Sequence, residues 1–187
     1  MTPTIEEVVQ QIDDWQGKAV RIMPLSGGLT NTNYRVEVDG QFYFVRIPGV
    51  KTDLLAIDRN NEYHNTCAAA EAGVGARVLY HLPEHSVMVL EFIQGKTMSI
   101  QSLNEAGMPA RIAQSLKKLH AGPRFYSDFN MFRLTEFYIE ICRQYEVRIP
   151  EDFLERMPAV QKIEAAMLVS PMPVSYTHLT LPTICSV

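Results

Sequence analysis

Three groups of residues in this chain have types and spacings that suit chemistry on an anion. The first is the stretch LSGGLTNTNYRV, residues 25–36, which places Ser26, Gly27, Gly28, Leu29, Thr30, Asn31, Thr32 and Asn33 between two strand-like runs. A hairpin needs only two to four turn residues. Glycines lack a Cβ, so the main chain can approach whatever lies beneath it. Successive free N–H groups form an anion-binding concavity, to which Ser26, Thr30, Asn31 and Thr32 would add side-chain donors. Phosphate is the obvious guest. By itself the loop reads first as a long hairpin whose glycines only relieve strain, because it is neither GxGxxG nor a Walker A sequence. The second group is Arg46 in FYFVRI, residues 42–47, where a period of two sets the guanidinium on one face with Phe42 and Phe44. A cation among aromatic rings on a central strand is costly unless it meets an anion, or snorkels to the sheet edge. The third is Glu62, in a helix after that strand, which could orient Arg46 or simply face solvent.

These residues need a scaffold, and the surrounding sequence specifies one. Thr4-Ile5-Glu6-Glu7 is a capping box, and Ile5, Val8, Val9, Ile12 and Trp15 follow at helical spacing, so an amphipathic helix ending at Gly17 is expected. Strands are predicted over 19–25, 33–38 and 41–47, the last two joined by Asp39-Gly40, a type I′ hairpin signal. A helix is predicted over 53–72, stopping at Gly73, and then strands over 77–82 and 87–93. The second of these is apolar except for Glu91, so both its faces should be covered. From Ser102 onward helical patterns take over: Ile112, Ala113, Leu116 and Leu119 share a face, and further helices are expected over 131–145 and 151–168. The reading is an α+β chain. A five-stranded antiparallel sheet with one main helix occupies residues 1–94, and an incomplete helical region 95–174.

Composition narrows the function. With 17 Lys+Arg against 21 Asp+Glu, the formal charge is −4, which argues against a nucleic acid or an anionic membrane as partner. No apolar run approaches the roughly 18 residues of a spanning helix. Glu6 and Glu7 stand where the apolar core of a signal peptide would be. The cysteines, Cys67, Cys142 and Cys185, fit no disulfide or zinc spacing, and a reducing, cytoplasmic setting follows. His81 and His85 flank a turn and read as surface residues rather than a metal pair. Nothing in the sequence specifies an oligomeric state.

A glycine loop, a cation on the third strand, a glutamate on the next helix, and two strands leading into helices follow the order of a protein-kinase-like nucleotide lobe. The chain resembles the choline/ethanolamine kinase family, within the wider aminoglycoside-phosphotransferase group, over about residues 18–174. LSGGLTNTNYRV is similar to that family's phosphate loop, and YFVRIPG (43–49) to its third strand, where Arg commonly replaces Lys. RNNEYHNTCAAAEAGVGARVLY (59–80) is similar to its helix C and following strand, VMVLEFIQG (87–95) to its hinge, and IAQSLKKLHAG (112–122) to its first long C-lobe helix. The resemblance implies that main-chain N–H groups around Ser26, Gly27, Gly28, Leu29, Thr30 and Asn31 cover ATP phosphates. It implies that Arg46 pairs with phosphate oxygens while Glu62 holds it, and that main chain near Glu91 and Ile93 meets the adenine.

The same resemblance implies Mg²⁺ and two C-lobe acids, one beside the attacking hydroxyl and one on the metal. The pattern would place them just after SPMPV (170–174), where the chain reads SYTHLTLPTICSV. No Asp follows Asp152, and His178 is followed by Leu179 and Thr180. Residues 175–187 therefore read as a non-native or frameshifted tail, and neither catalytic residues nor metal ligands are assigned in this chain. The expected function is the N-terminal part of an ATP-dependent kinase for a small-molecule alcohol, choline or ethanolamine first, itself inactive. An aminoglycoside or thiamine kinase and a non-catalytic nucleotide-binding domain are the alternatives. Loss of C-lobe partners should also leave Phe125, Phe129, Phe132, Phe137 and Tyr138 as an exposed apolar patch.

Overall fold

A computed structural model describes residues 2–26, 30–50, 52–127 and 130–167. Helix α1 (Ile5–Gln10) begins with the expected capping box: Thr4 Oγ1 accepts from the Glu7 amide at 3.2 Å, and Glu7 Oε2 accepts from the Thr4 amide at 2.8 Å. It is shorter than its apolar spacing predicts. The chain leaves α1 at Gln11 and turns through a 3₁₀ segment, Asp13–Trp15, that delivers Trp15 into the core, and Gly17 then takes a positive φ of 73°.

Strands β1 (Val20–Leu25), β2 (Asn31–Val38), β3 (Gln41–Pro48), β4 (Val78–Leu82) and β5 (Val87–Glu91) form one antiparallel sheet in the order β1-β2-β3-β5-β4. Asp39 and Gly40 take φ of 48° and 83°, the positive values of the tight turn that locks β2 against β3. Period-two alternation gives the sheet two different faces. One carries Val36, Val38, Tyr43, Val45, Ile47, Val87 and Val89, all buried against Ile5, Val8, Ile12 and Trp15. The other carries Asn33, Arg35, Phe42, Phe44, Arg46, Met88 and Leu90. Met88 and Leu90 are buried too, so β5 is covered on both faces as its apolar run required. A bulge at Leu79, where the β4–β5 register slips between Val78 and Tyr80, sets Tyr80 on the core face against Trp15. His81 is left on the opposite face.

Between β3 and β4 lies helix α2 (Arg59–Glu71), capped by Asp58, whose Oδ1 accepts from the Asn61 amide at 3.0 Å. The predicted helix over 53–72 begins late because Thr52–Leu55 is a separate 3₁₀ turn and Ala56 has a positive φ of 53°. α2 buries only Ala68 among the described residues, so it docks on the sheet largely through polar and aromatic side chains. Tyr63 stacks on His81 with ring centroids 3.9 Å apart, which makes His81 a half-buried packing residue rather than a surface one. After α3 (Ile100–Leu103) and α4 (Met108–Ala121), the chain passes back over α2. His64 stacks on Tyr126 at 4.7 Å, and the Tyr126 amide donates to Asn65 at 2.9 Å.

The chain divides into two compact units, Met1–Tyr126 and Ser127–Val187. Within the second, the described helices are α5 (Met131–Gln144), α6 (Glu151–Glu155) and α7 (Met157–Met167), with Arg133 donating to Glu164 at 2.6 Å. Of the expected apolar patch, Phe137 and Tyr138 are each 38% exposed and Phe132 is half-buried, while Phe129 lies outside the described residues. Phe125 departs from the expectation: it is buried within the first unit. Residues 168–187, including the whole tail after Val174, lie outside the described residues. No described helix is long and apolar enough to cross a membrane.

Candidate functional site

The face of the sheet opposite the α1 core holds the residues that the sequence singled out. Arg46 stands on β3 across from Asn33 on β2 and Met88 on β5. α2 crosses this face so that its first turn meets the guanidinium: Arg46 Nη1 donates to Glu62 Oε1 at 2.9 Å. Both side chains are mostly sequestered, 27% and 20% exposed. Arg46 also lies 5.8 Å from the centre of the Phe44 ring. The Arg46–Glu62 ion pair that the family resemblance implies is therefore formed.

A second guanidinium, not anticipated from the sequence, completes the group. Arg59 Nη1 donates to Glu62 Oε2 at 2.5 Å and to Asn31 Oδ1 at 2.8 Å, and its Nη2 donates to the Thr30 carbonyl at 3.4 Å. Arg59 is the least exposed of the three, at 14%. Its Nε is buried with no hydrogen-bond partner among the described residues. Two guanidiniums and one carboxylate carry +2 and −1, a net +1 in a poorly solvated place, which favours an anion as the missing counter-charge. The available signal was the spacing of Arg59 and Glu62, three residues apart on one helix face. Their link to Thr30 and Asn31 depends on how the first turn of α2 is placed against the start of β2 and is invisible locally.

Of the loop, Ser26 is exposed and Thr30 and Asn31 are held by Arg59, while Gly27, Gly28 and Leu29 lie outside the described residues. Towards the other end of β3, Arg35 lies over the Phe42 ring at 4.0 Å and near Phe92 at 5.4 Å, contacts each worth about 0.5–2 kcal/mol. Glu91 stands opposite Tyr43, three residues along the ladder from Arg46, or roughly 10 Å of strand. Its amide donates to the Arg77 carbonyl and its carboxylate accepts from Arg77 Nε, both at 2.9 Å. The Glu91 amide is thus already engaged, and the first main chain beyond it is the exposed segment around Ile93. Among the described residues, no three His, Cys, Asp or Glu side chains cluster as metal ligands would.

The choline/ethanolamine kinase family model matches residues 22–166 of the chain. The chain belongs to the choline/ethanolamine kinase family. Solved structures agree. A choline/ethanolamine kinase family protein from Mesorhizobium loti is 30% identical, with a TM-score of 0.69 over 89% of this chain and 54% of that one. Choline kinase LicA from Streptococcus pneumoniae is 21% identical, with a TM-score of 0.65 over 87% of this chain and 56% of that one, a likeness of fold. A structure of LicA in complex with AMP matches at 23% identity and a TM-score of 0.61, over 87% of this chain and 55% of that one. The family member described here thus spans about half the length of these structures. No curated protein sequence matches it significantly. Within the family's kinase-like fold, its sheet and α2 form the α+β architecture read from the sequence.

Proposed function

We propose that this face binds the phosphates of ATP and that the whole protein transfers the γ-phosphoryl group to a small-molecule alcohol, choline or ethanolamine first. The observation that carries the reading is the Arg46–Glu62 pair on a family-matched strand and helix. Glu62 fixes the Arg46 fork, and Arg46 supplies planar, permanent donors suited to phosphate oxygens. The net +1 of the cluster fits a polyanion. The base would lie towards Ile93, past the engaged Glu91 amide, with Gly27, Gly28, Leu29 and Ser26 contributing main-chain donors at the phosphate end. The AMP complex of LicA supports a nucleotide site in this fold. Mg²⁺ belongs to the same reading, although no cluster of three His, Cys, Asp or Glu side chains stands ready to hold it among the described residues. Division into a nucleotide lobe over 1–94 and a helical lobe from 95, and a cytoplasmic setting, belong to the same reading.

Positioning and neutralisation of charge supply most of the rate in phosphoryl transfer. The carboxylates for this are absent from residues 170–187, so these 187 residues alone should bind ATP without turning it over. A panel of choline, ethanolamine, thiamine and kanamycin, with Mg²⁺ and ATP, tests a form extended to the length of the solved relatives. Choline or ethanolamine phosphorylation is expected. Arg46→Ala should lower it by orders of magnitude with the fold retained. Activity on kanamycin alone would overturn the choice of acceptor, and turnover by the 187 residues themselves would overturn their inactivity.

A further inference from the structure

Arg59 does something the Arg46–Glu62 pair cannot do alone. It reaches from the first turn of α2 to two points at the start of β2, the Asn31 side chain and the Thr30 carbonyl, while also holding the carboxylate that holds Arg46. Thr30 is itself clamped from the other side: the Gly49 amide at the end of β3 donates to the same carbonyl at 2.8 Å. A cation 14% exposed, making three hydrogen bonds and keeping a buried Nε with no partner among the described residues, is expensive to place there. Lysine could supply the charge but not the fork, because its single ammonium cannot span Glu62, Asn31 and Thr30 in one plane.

We infer that Arg59 is a positioning residue that ties the β2 end of the glycine-rich turn to the Arg46–Glu62 pair, so that the phosphate donors on β2 and β3 are set at a fixed spacing. The inference rests on the nucleotide reading above and extends it to a residue that need not touch the nucleotide. With the tie in place, Glu62 keeps a guanidinium partner when Arg46 turns its donors to an anion. The carboxylate is then not left buried and unpaired. Without the tie, Arg46 would keep its place on β3, but Thr30 and Asn31 would lose their link to α2. Phosphate contacts should weaken and contacts to the nucleoside should not.

The test is calorimetric titration of the 187-residue chain with ATP and, separately, with adenosine, for wild type, Arg59→Ala, Arg59→Lys, Asn31→Ala and the Arg59→Ala/Asn31→Ala double variant. Arg59→Ala should weaken ATP about tenfold, the size of one charge-assisted hydrogen bond, and leave adenosine unchanged. Arg59→Lys should recover little of the loss. Asn31→Ala should weaken ATP less, and the double variant should bind as Arg59→Ala does, since the Asn31 contact runs through Arg59. Wild-type ATP affinity in Arg59→Lys would make the role one of charge alone and overturn the inference. So would equal losses for ATP and adenosine, or additive losses in the double variant. Amide exchange at residues 30–34 without ligand reads the tie independently. Faster exchange in Arg59→Ala is expected, and unchanged exchange overturns the tie. Absence of ATP binding by wild type would instead overturn the nucleotide reading, with the tie still judged by exchange.

Discussion

Replacing Glu62 by Gln isolates the electrostatics of the cluster. Gln keeps the shape and one acceptor oxygen but removes the charge that separates two guanidiniums. Glu62 accepts at 2.9 Å from Arg46 and at 2.5 Å from Arg59. Removing one partner of a fully buried ion pair costs about 3–5 kcal/mol. Here the three side chains are 14–27% exposed, and Gln still accepts one hydrogen bond, so about 2 kcal/mol is expected. For a compact unit spanning Met1–Tyr126, that lowers Tm by roughly 8 °C, at about 4 °C per kcal/mol. The +2 pair left behind should take up a multivalent anion more readily than the native +1 group. Thermal melts in sulfate, against chloride at matched ionic strength, should show a larger sulfate-specific rise in Glu62→Gln than in wild type. A variant melting within about 1 °C of wild type would refute the reasoning, as would equal responses to the two salts, because the carboxylate would then carry no net burden in the folded state.

Two further outcomes follow from packing. Burial, and secondarily the nearby His64, hold the His81 pKa below its usual value, so folding favours the neutral ring. The stability that this contributes is present above about pH 6.5 and is lost as pH falls below it, because the unfolded chain then binds the extra proton. Melting temperature should therefore drop on acidification, and His81→Phe, which keeps a ring under Tyr63, should drop less; equal slopes would refute it. A Cβ at Gly49 would stand 2.8 Å from the Thr30 carbonyl oxygen, which also accepts from the Gly49 amide. Gly49→Ala should cost about 1–3 kcal/mol by overpacking, read as a lower Tm, and an unchanged Tm would count against the rigidity of this corner.

Local chemistry determined much of this protein. The Thr4–Glu7 capping box, the Asp39-Gly40 turn and the alternation that puts Arg46 with Phe42 and Phe44 all depend on neighbours within a few residues, and all stand in the structure as read. The order of loop, arginine strand and glutamate helix also carried the family. Other features escaped a local reading because they depend on what lies opposite. Trp15 fits the α1 spacing, yet the core beneath the sheet draws it in through a separate turn. A one-residue bulge at Leu79 sends Val78 and Tyr80, two residues apart, to opposite faces, and so puts Tyr80 in the core and His81 under α2. Arg59, at i−3 from Glu62, becomes part of the site only because its side chain reaches from the first turn of α2 to Thr30 and Asn31 at the start of β2. Sequence spacing sets which face a side chain takes, whereas register and helix crossing set which distant group it meets, and at this site the distant group decides the chemistry.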